Sequence, residues 1–175
     1  MTVALAVDRT WDGQPARPDE SVELSLLDAG PDLRLRIDAP FHGDPPPPGP
    51  PGPTWALSEH EVAELFILGA DQRYLEVEVG PHGHHLVLQL HGVRQVVARL
   101  LPLDLRVQRD GGRWTADALL PRTLLPPGPH RLNATAVHGQ GISRRFLAWA
   151  PMPGPTPDFH RLDAWRPVLL PGTTP

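Results

Sequence analysis

The sequence contains no cysteine and no lysine, and these two absences exclude several kinds of chemistry. Without cysteine, the chain cannot form a thiol nucleophile, a thiolate zinc site or a disulfide. Without lysine, a Schiff-base enzyme and a P-loop phosphate site lack the amine on which they depend. The chain has four serines, Ser21, Ser25, Ser58 and Ser143, and none lies in a G-x-S-x-G turn. A serine hydrolase is therefore not expected.

The chain also lacks a basic stripe and a long apolar run. Its 175 residues carry a formal net charge of -4, so nucleic acid is not an expected partner. No run approaches the length of a membrane span, and the apolar stretch near the N-terminus is too short for a signal peptide. We therefore expect a cytoplasmic protein with no membrane contact, folded as one domain over residues 1–175.

Short alternating runs are separated by 24 prolines and 16 glycines. Apolar and polar residues alternate over residues 22–26, 33–37, 74–79 and 84–90. Segments of period two with turns at short spacing are typical of an antiparallel sandwich or barrel. Two further runs flank Asp110-Gly111-Gly112 and predict a hairpin. Additional strands are predicted over residues 3–7, 131–138 and 142–149.

Two segments fit more than one local structure. Residues 58–68 begin with a capping-box pattern, Ser58 and Glu61, and their local sequence fits a helix or a strand equally well. Residues 121–125 match one helical turn.

Residues 45–53 read PPPPGPPGP and must be extended. Because this run lies inside the domain, we interpret it as a stiff crossover loop. The alternative is a recognition motif for a proline-binding partner. Residues 168–175 are also rich in proline and are predicted to form a surface tail.

Tyr74, Glu76 and Glu78 fall on one face of a predicted strand, with Glu64 nearby in sequence. Carboxylates so placed can act as acid and base on a glycoside, accept hydrogen bonds from sugar hydroxyls, or simply face solvent. The apolar residues between them are predicted to face the core, which fixes the strand register. We therefore expect the carboxylates to be solvated or paired with an arginine such as Arg94.

A histidine cluster follows this strand. His82 and His84 would share a strand face, and with Glu76 or Glu78 they are candidate zinc ligands. Their spacing is not a specific ligand pattern, so we expect no stoichiometric zinc and interpret the cluster as a polar turn.

Two other segments have predicted roles. Trp55 is the best placed of the five tryptophans to stack on a sugar, because it follows the proline run and precedes Glu64. Residues 157–162 read PDFHRL and are interpreted as a terminal segment that docks back through Phe159 and Leu162.

These motifs resemble those of known families. Residues 63–66, followed by YLEVEVGPHG at residues 74–83, resemble the signature of family-nine carbohydrate-binding modules and of DOMON-like domains. With the proline-rich loop and PDFHRL, they are similar to an uncharacterised family of small proteins from bacteria and animals. The resemblance covers residues 33–167.

The resemblance implies a β-sandwich of jelly-roll type in which residues 61–67 form a strand. In the sugar-binding relatives the ligand lies on one sheet, held by aromatic and polar residues, and calcium is sometimes bound elsewhere. DOMON relatives bind haem or sugar. Haem needs axial ligands, often Met or His, and this sequence has only Met1 and Met152 and no clearly placed histidine pair, so calcium is the one cofactor that the resemblance suggests.

We predict a non-catalytic protein that binds a carbohydrate or polyol through a set of aromatic, acidic and amide side chains: Trp55, Glu64, Tyr74, Glu76, Glu78 and Asn133. One alternative is a small glycoside hydrolase or metal-assisted hydrolase that uses the glutamates and histidines. Another is a protein-interaction module that uses the proline-rich loop. The sequence leaves the identity of the ligand and the oligomeric state open.

Overall fold

The structure, a computed structural model, describes residues 1–173 and is built there almost entirely from β-strands. Short 3-10 turns occur at Leu57–Glu59, Arg122–Leu124, Gly141–Ser143 and Leu162–Ala164. The strands are β1 Thr2–Val7, β2 Arg9–Thr10, β3 Val22–Ala29, β4 Asp32–Pro40, β5 Gly52–Pro53, β6 Val62–Leu68, β7 Arg73–Val79, β8 His84–His91, β9 Val96–Ala98, β10 Asp104–Asp110, β11 Arg113–Pro121, β12 His130–His138, β13 Arg145–Ala148 and β14 Arg166–Val168.

The strands form two sheets. The five-stranded sheet has the order β1-β3-β4-β11-β10, and all its neighbours are antiparallel. The long sheet has the order β2-β13-β12-β6-β7-β8-β5, with β14 beside β12 and β9 beside β8. Its only parallel pair within the described chain is β5 with β8. The predicted all-β antiparallel sandwich is therefore confirmed. The segment that fitted either helix or strand forms a 3-10 turn at Leu57–Glu59 followed by β6 at Val62–Leu68, so the strand implied for residues 61–67 is shifted by one residue.

The main core lies between the two sheets. In β6 and β7 the inward residues alternate with outward ones, as the period-two pattern predicts. Each buried Leu or Val contributes roughly 1.5–3 kcal/mol of transfer free energy. The inward side chains of these two strands are Ala63, Leu65, Ile67, Leu75, Val77 and Val79.

The outer faces of the two sheets differ. In the five-stranded sheet the outward residues are partly or fully exposed, so β3, β4 and β11 alternate between buried and more open positions. In the long sheet every residue of β6 is buried, as are all residues of β7 except Arg73. The long sheet must therefore be covered on its outer face as well.

The cover is residues 150–165, here called the covering segment. Its Trp165 packs with the ring centroid 5.1 Å from that of Phe66 and 5.4 Å from that of Tyr74. Leu162 is buried in the same cluster, and Phe159 packs against it. The predicted docking of this segment through Phe159 and Leu162 is therefore found in the structure.

Two local expectations are wrong. Residues 142–149 were predicted to form a strand, but the strand begins only at Arg145, because Gly139 and Gly141 have positive φ angles and turn the chain. Residues 168–175 were predicted to form a surface tail, but Leu170 is fully buried in the main core. Residues 174–175 lie outside the described residues.

Residues 45–53 contribute a strand as well as a loop. Gly52–Pro53 forms β5 at the edge of β8, where the missing N–H of a proline is tolerated. No helix among residues 1–173 is long and apolar enough to cross a membrane.

Truncation of Trp165 and truncation of Trp55 should have very different effects on the free energy of unfolding. Trp165 is 1% exposed and Trp55 is 54% exposed. We expect Trp165→Ala to lower the free energy of unfolding by about 3–5 kcal/mol, because it leaves a cavity under the covering segment. Trp55→Ala should change it by no more than about 0.5 kcal/mol. Urea denaturation of both variants measures this, and equal effects would contradict the packing described.

Candidate functional site

Three buried glutamates come together on the outer face of the long sheet, and we call them the glutamate cluster. Glu64 of β6 lies opposite Glu78 of β7 in the strand register, and Glu76 is one pleat away on the same face. One carboxylate oxygen from each lies within 4.8 Å of the others. Among residues 1–173, no other group of three or more histidine or acidic side chains converges in this way.

The strand pairing also places a neutral partner beside the cluster. Thr135 of β12 lies opposite Glu64 and donates its hydroxyl hydrogen to the Glu64 Oε2 atom. The sequence did not point to Thr135, because its place depends on which strand pairs with β6. Residue alternation alone carries no such signal.

Arginine does not neutralise the cluster. In the described chain, none of the three glutamates forms an ion pair. Arg94 instead donates to Asp158 at 2.6 Å, and Arg144 donates to backbone carbonyls. The Oε2 atoms of Glu76 and Glu78 have no hydrogen-bond partner. The expectation of solvated or arginine-paired carboxylates is therefore wrong, because apolar cover excludes water and Arg94 turns to Asp158.

Burial raises the pKa of all three cluster carboxyls. The Glu78 pKa is raised further by the charges of Glu64 and Glu76. The Glu64 pKa is raised by burial and by Glu76, and the Thr135 hydrogen bond opposes this only in part. For Glu76, burial again dominates. A protonated Glu78 can donate a hydrogen bond to Glu76, which is how such a cluster reduces its charge.

Glu20 is a buried carboxylate that, unlike the glutamate cluster, has an arginine partner. This carboxylate is 1% exposed, so burial acts to raise its pKa. Arg145 donates two hydrogen bonds to it, at 2.7 and 3.0 Å, and the Arg17 backbone N–H donates another at 2.8 Å. These hydrogen bonds, with the charges of Arg145 and His138, outweigh burial and lower the pKa of Glu20 to about 2. A buried carboxylate in this fold is thus paired when an arginine can reach it.

Tyr74 ties the covering segment to the sheet. Its hydroxyl lies 2.7 Å from Nδ1 of His160 and accepts a hydrogen bond from the Arg94 backbone N–H at 3.0 Å. Burial lowers the pKa of His160 to about 4, so the ring is neutral and its Nδ1 can accept the Tyr74 proton. Burial also raises the pKa of Tyr74 to about 12. Tyr74 therefore has a structural partner within the protein.

Asn133 is fully occupied by backbone groups and by the Met152 sulfur. Its Nδ2 atom donates to the Ala150 carbonyl at 3.0 Å, and its Oδ1 atom accepts from the backbone N–H groups of Ala134 and Ala150, both at 2.9 Å. Asn133 thus fixes the start of the covering segment and has no free amide group to offer a ligand.

The other predicted site residues lie apart from the cluster. The ring of Trp55 has the Arg99 guanidinium 5.6 Å from its centroid. His84 Nε2 lies 3.3 Å from the Gly49 carbonyl, and the His82 ring lies 5.7 Å from that of Phe41. The structure therefore brings together the three glutamates of the predicted site, with Tyr74 on the same face.

Sequence reasoning missed a groove of about 770 Å³ on the outer face of the five-stranded sheet, here called the polar groove. Its side chains form two cross-strand rows. Their residue types look like an ordinary solvated sheet face in the sequence, so only strand order shows that they adjoin. The first row is Ser25, Arg36, Asp117 and Arg106, and the second is Glu23, Asp38, Thr115 and Gln108.

Comparison with known proteins places the chain among relatives of similar length. No family model matches it. It is 40% identical over 171 residues to the UPF0462 protein C4orf33 homolog of Mus musculus, covering 92% of this chain and 88% of that protein. The chain belongs to the UPF0462 family. UPF0462 protein C4orf33 of Homo sapiens is 40% identical over 169 residues, covering 91% and 84%. The Danio rerio homolog is 37% identical over 173 residues, covering 94% and 87%.

The UPF0462 chain also resembles a solved structure. A protein from Bacteroides uniformis, described as a "putative carbohydrate-binding protein", superposes with a TM-score of 0.73 and covers 94% of this chain and 84% of that one. The two sequences are 15% identical. At that identity the likeness establishes a shared fold.

The glutamate cluster should make folding stability fall as pH rises. Above about pH 7, the unfolded chain has released its glutamate protons, whereas the folded cluster still holds some, so higher pH favours unfolding. This range also lies above the ordinary histidine titration. We expect a loss of up to about 1.4 kcal/mol per pH unit for each proton retained only in the folded state.

Urea denaturation in a chelating buffer, from about pH 7 to pH 9, measures this effect. Glu78→Gln should flatten the pH dependence, whereas the exposed control Glu59→Gln should leave it unchanged. A wild-type stability that does not fall over this range would show that the cluster does not retain its protons.

Proposed function

We propose that the chain is a non-catalytic binding protein for a carbohydrate or a similar polyol, and that the polar groove is the binding surface. The observation that carries the proposal is an open groove that offers hydrogen-bond donors and acceptors in adjacent rows. Its volume falls within the range of roughly 300–1,000 Å³ in which most small-molecule sites lie. The groove needs no movement of the backbone to admit a ligand.

The side chains in the two rows of the polar groove can form hydrogen bonds with hydroxyl groups. A hydroxyl donates one hydrogen bond and accepts others, so a ligand with many hydroxyls needs both kinds of partner close together. Arg36 lies between Ser25 and Asp117 in one row, and Asp38 adjoins Thr115 in the other. Guanidinium groups present paired donors, and carboxylates present paired acceptors.

The charge of the groove favours an uncharged ligand. Three arginines and four carboxylates line it, so their charges nearly balance: Arg34, Arg36, Arg106, Glu23, Asp38, Asp104 and Asp117. A phosphate site would show an excess of arginine. None of the described lining residues is aromatic, so recognition depends on hydrogen bonding rather than on ring stacking. The Bacteroides uniformis neighbour's description as carbohydrate-binding supports the same class of ligand.

Binding is better supported than glycoside hydrolysis. A glycosidase needs two carboxyl groups on either side of an accessible bond, at about 5–9.5 Å from each other. Glu64, Glu76 and Glu78 instead converge on one another and are at most 5% exposed. A sugar ring reaches these three residues, which the sequence predicted as ligand contacts, only if the cover above them moves.

Arg36→Ala should weaken carbohydrate binding while the protein stays folded. A thermal-shift screen against neutral saccharides and polyols identifies a ligand, because binding to the folded state raises the melting temperature. We expect Arg36→Ala to lower affinity for that ligand about tenfold or more, since hydrogen bonds from a charged group contribute about 1.5–3 kcal/mol. Its ion pair with Asp117 is solvent-exposed, so stability should change by about 1 kcal/mol or less.

Arg73→Ala is the matched control, because Arg73 also forms an exposed ion pair, with Asp71, but lies on the long sheet. Its affinity should equal that of the wild type. If Glu76→Gln lowers affinity and Arg36→Ala does not, the site lies on the glutamate face instead. If no saccharide or polyol raises the melting temperature, the proposed function is wrong.

A further inference from the structure

We propose that the glutamate cluster binds one hard divalent cation, such as Ca²⁺, Mg²⁺ or Mn²⁺. Glu64, Glu76 and Glu78 each bring one carboxylate oxygen close to the other two, with all three oxygens within 4.8 Å of one another. Anionic oxygens are the ligands that these cations prefer, and one or more carboxylates are their usual protein contribution. The cluster contains no histidine and the chain no cysteine, so the donor set does not suit structural zinc.

Two unused acceptors provide an independent sign of a missing ligand. The Oε2 atoms of Glu76 and Glu78 have no hydrogen-bond partner, although the side chains are only 5% and 2% exposed. Buried polar atoms in folded proteins nearly always have partners, because an unpaired acceptor forfeits its hydration. A proton shared between Glu76 and Glu78 would engage only one oxygen of each carboxyl, whereas a cation held among the three carboxylates offers the cluster a partner and a positive charge together. The Thr135 hydroxyl already holds Glu64 Oε2 and thereby fixes the orientation of that carboxylate.

Residues 1–173 provide no positive group in contact with the cluster. The two arginines whose charge acts on its carboxyls, Arg94 and Arg144, are engaged elsewhere. Arg94 donates to Asp158, and Arg144 donates to the carbonyls of Ser58 and Glu59. At Glu20, by contrast, two hydrogen bonds from Arg145 neutralise a single buried carboxylate. Three adjacent carboxylates without such a group make a favourable place for a small divalent ion.

The cation site is separate from the polar groove. The glutamate cluster lies on the outer face of the long sheet and the groove on the outer face of the five-stranded sheet, so the main core lies between them. Failure of one proposal therefore does not decide the other. Cation binding is measured without carbohydrate, so its result is independent of the polar groove.

The test uses the whole chain, first stripped of metal with a chelator. Melting temperature is measured with Ca²⁺, Mg²⁺ or Mn²⁺ added singly, with ionic strength matched by sodium chloride. At a cation concentration about 100 times the dissociation constant, we expect a rise of about 5–10 °C. Elemental analysis after equilibrium dialysis should find one ion per chain.

Glu64→Gln and Glu78→Gln keep the shape of the side chain and remove one charge. Each should fold at least as stably as the metal-free wild type, because repulsion within the cluster is reduced, yet lose the cation-dependent rise and bind at least tenfold more weakly. Glu59→Gln, an exposed glutamate outside the cluster, should behave as the wild type.

A luminescent ion gives a second readout that does not depend on stability. Tb³⁺ takes oxygen ligands as Ca²⁺ does, and Tyr74 and Trp165 on the same face of the sheet can sensitise its emission. Sensitised emission should saturate at one Tb³⁺ per chain and be absent in both cluster variants. Absence of bound ion and of any rise in melting temperature in the wild type would overturn the proposal. Equal binding by the wild type and both variants would overturn it too, because the ion would then lie elsewhere.

Discussion

The apolar contact between the covering segment and the outer face of the long sheet is the interaction on which the rest of the structure depends. Strand β6 carries apolar residues on both faces, so one layer of packing cannot bury it. Residues 150–165 provide the second layer, with Trp165 against Phe66 and Tyr74. The Asn133 amide fixes the start of that segment, and the hydroxyl of Tyr74 binds His160 near its end. Polar side chains thus position a cover that apolar burial stabilises.

This cover gives the two outer faces opposite electrostatic character. On the long sheet it excludes water from three carboxylates that have no positive partner among the described residues, so the face carries unneutralised acid groups. On the five-stranded sheet none of residues 1–173 covers the polar groove, and arginines and carboxylates balance one another in solvent. The closed face therefore concentrates buried acid, and the open face presents balanced charges to solvent.

The sequence predicted the fold well, because alternation at period two is a local signal. It located the strand around Val77, the hairpin at Asp110 and the helical turn at Arg122, whereas the strand around Leu65 followed only from the family resemblance. It also identified Glu64, Glu76 and Glu78 as one group. It predicted their surroundings wrongly, because alternation tells which residues share a face but not whether that face meets water. The cover comes from residues more than seventy positions later, and the pattern that predicted its docking did not show which face of the sheet it covers.

The polar groove was not predicted, because its residues come from strands that are far apart in the sequence. Arg36 and Asp117 are 81 positions apart in sequence, and only the antiparallel pairing of β4 with β11 brings them together. Each taken alone is an ordinary charged residue on the exposed side of a strand. A binding surface built across strands is therefore visible only after the strand order is known.

Because β6 is buried on both of its faces, it tolerates few substitutions as related sequences diverge. All seven of its residues are buried, so a substitution at any of them disturbs one layer of packing or the other. In β10 the residues are exposed or only partly buried, and outward changes there leave the core intact. Mutational drift is therefore expected to accumulate in the five-stranded sheet and to spare the centre of the long sheet. The side chains of the groove can therefore change between relatives while the scaffold and the buried acids stay the same.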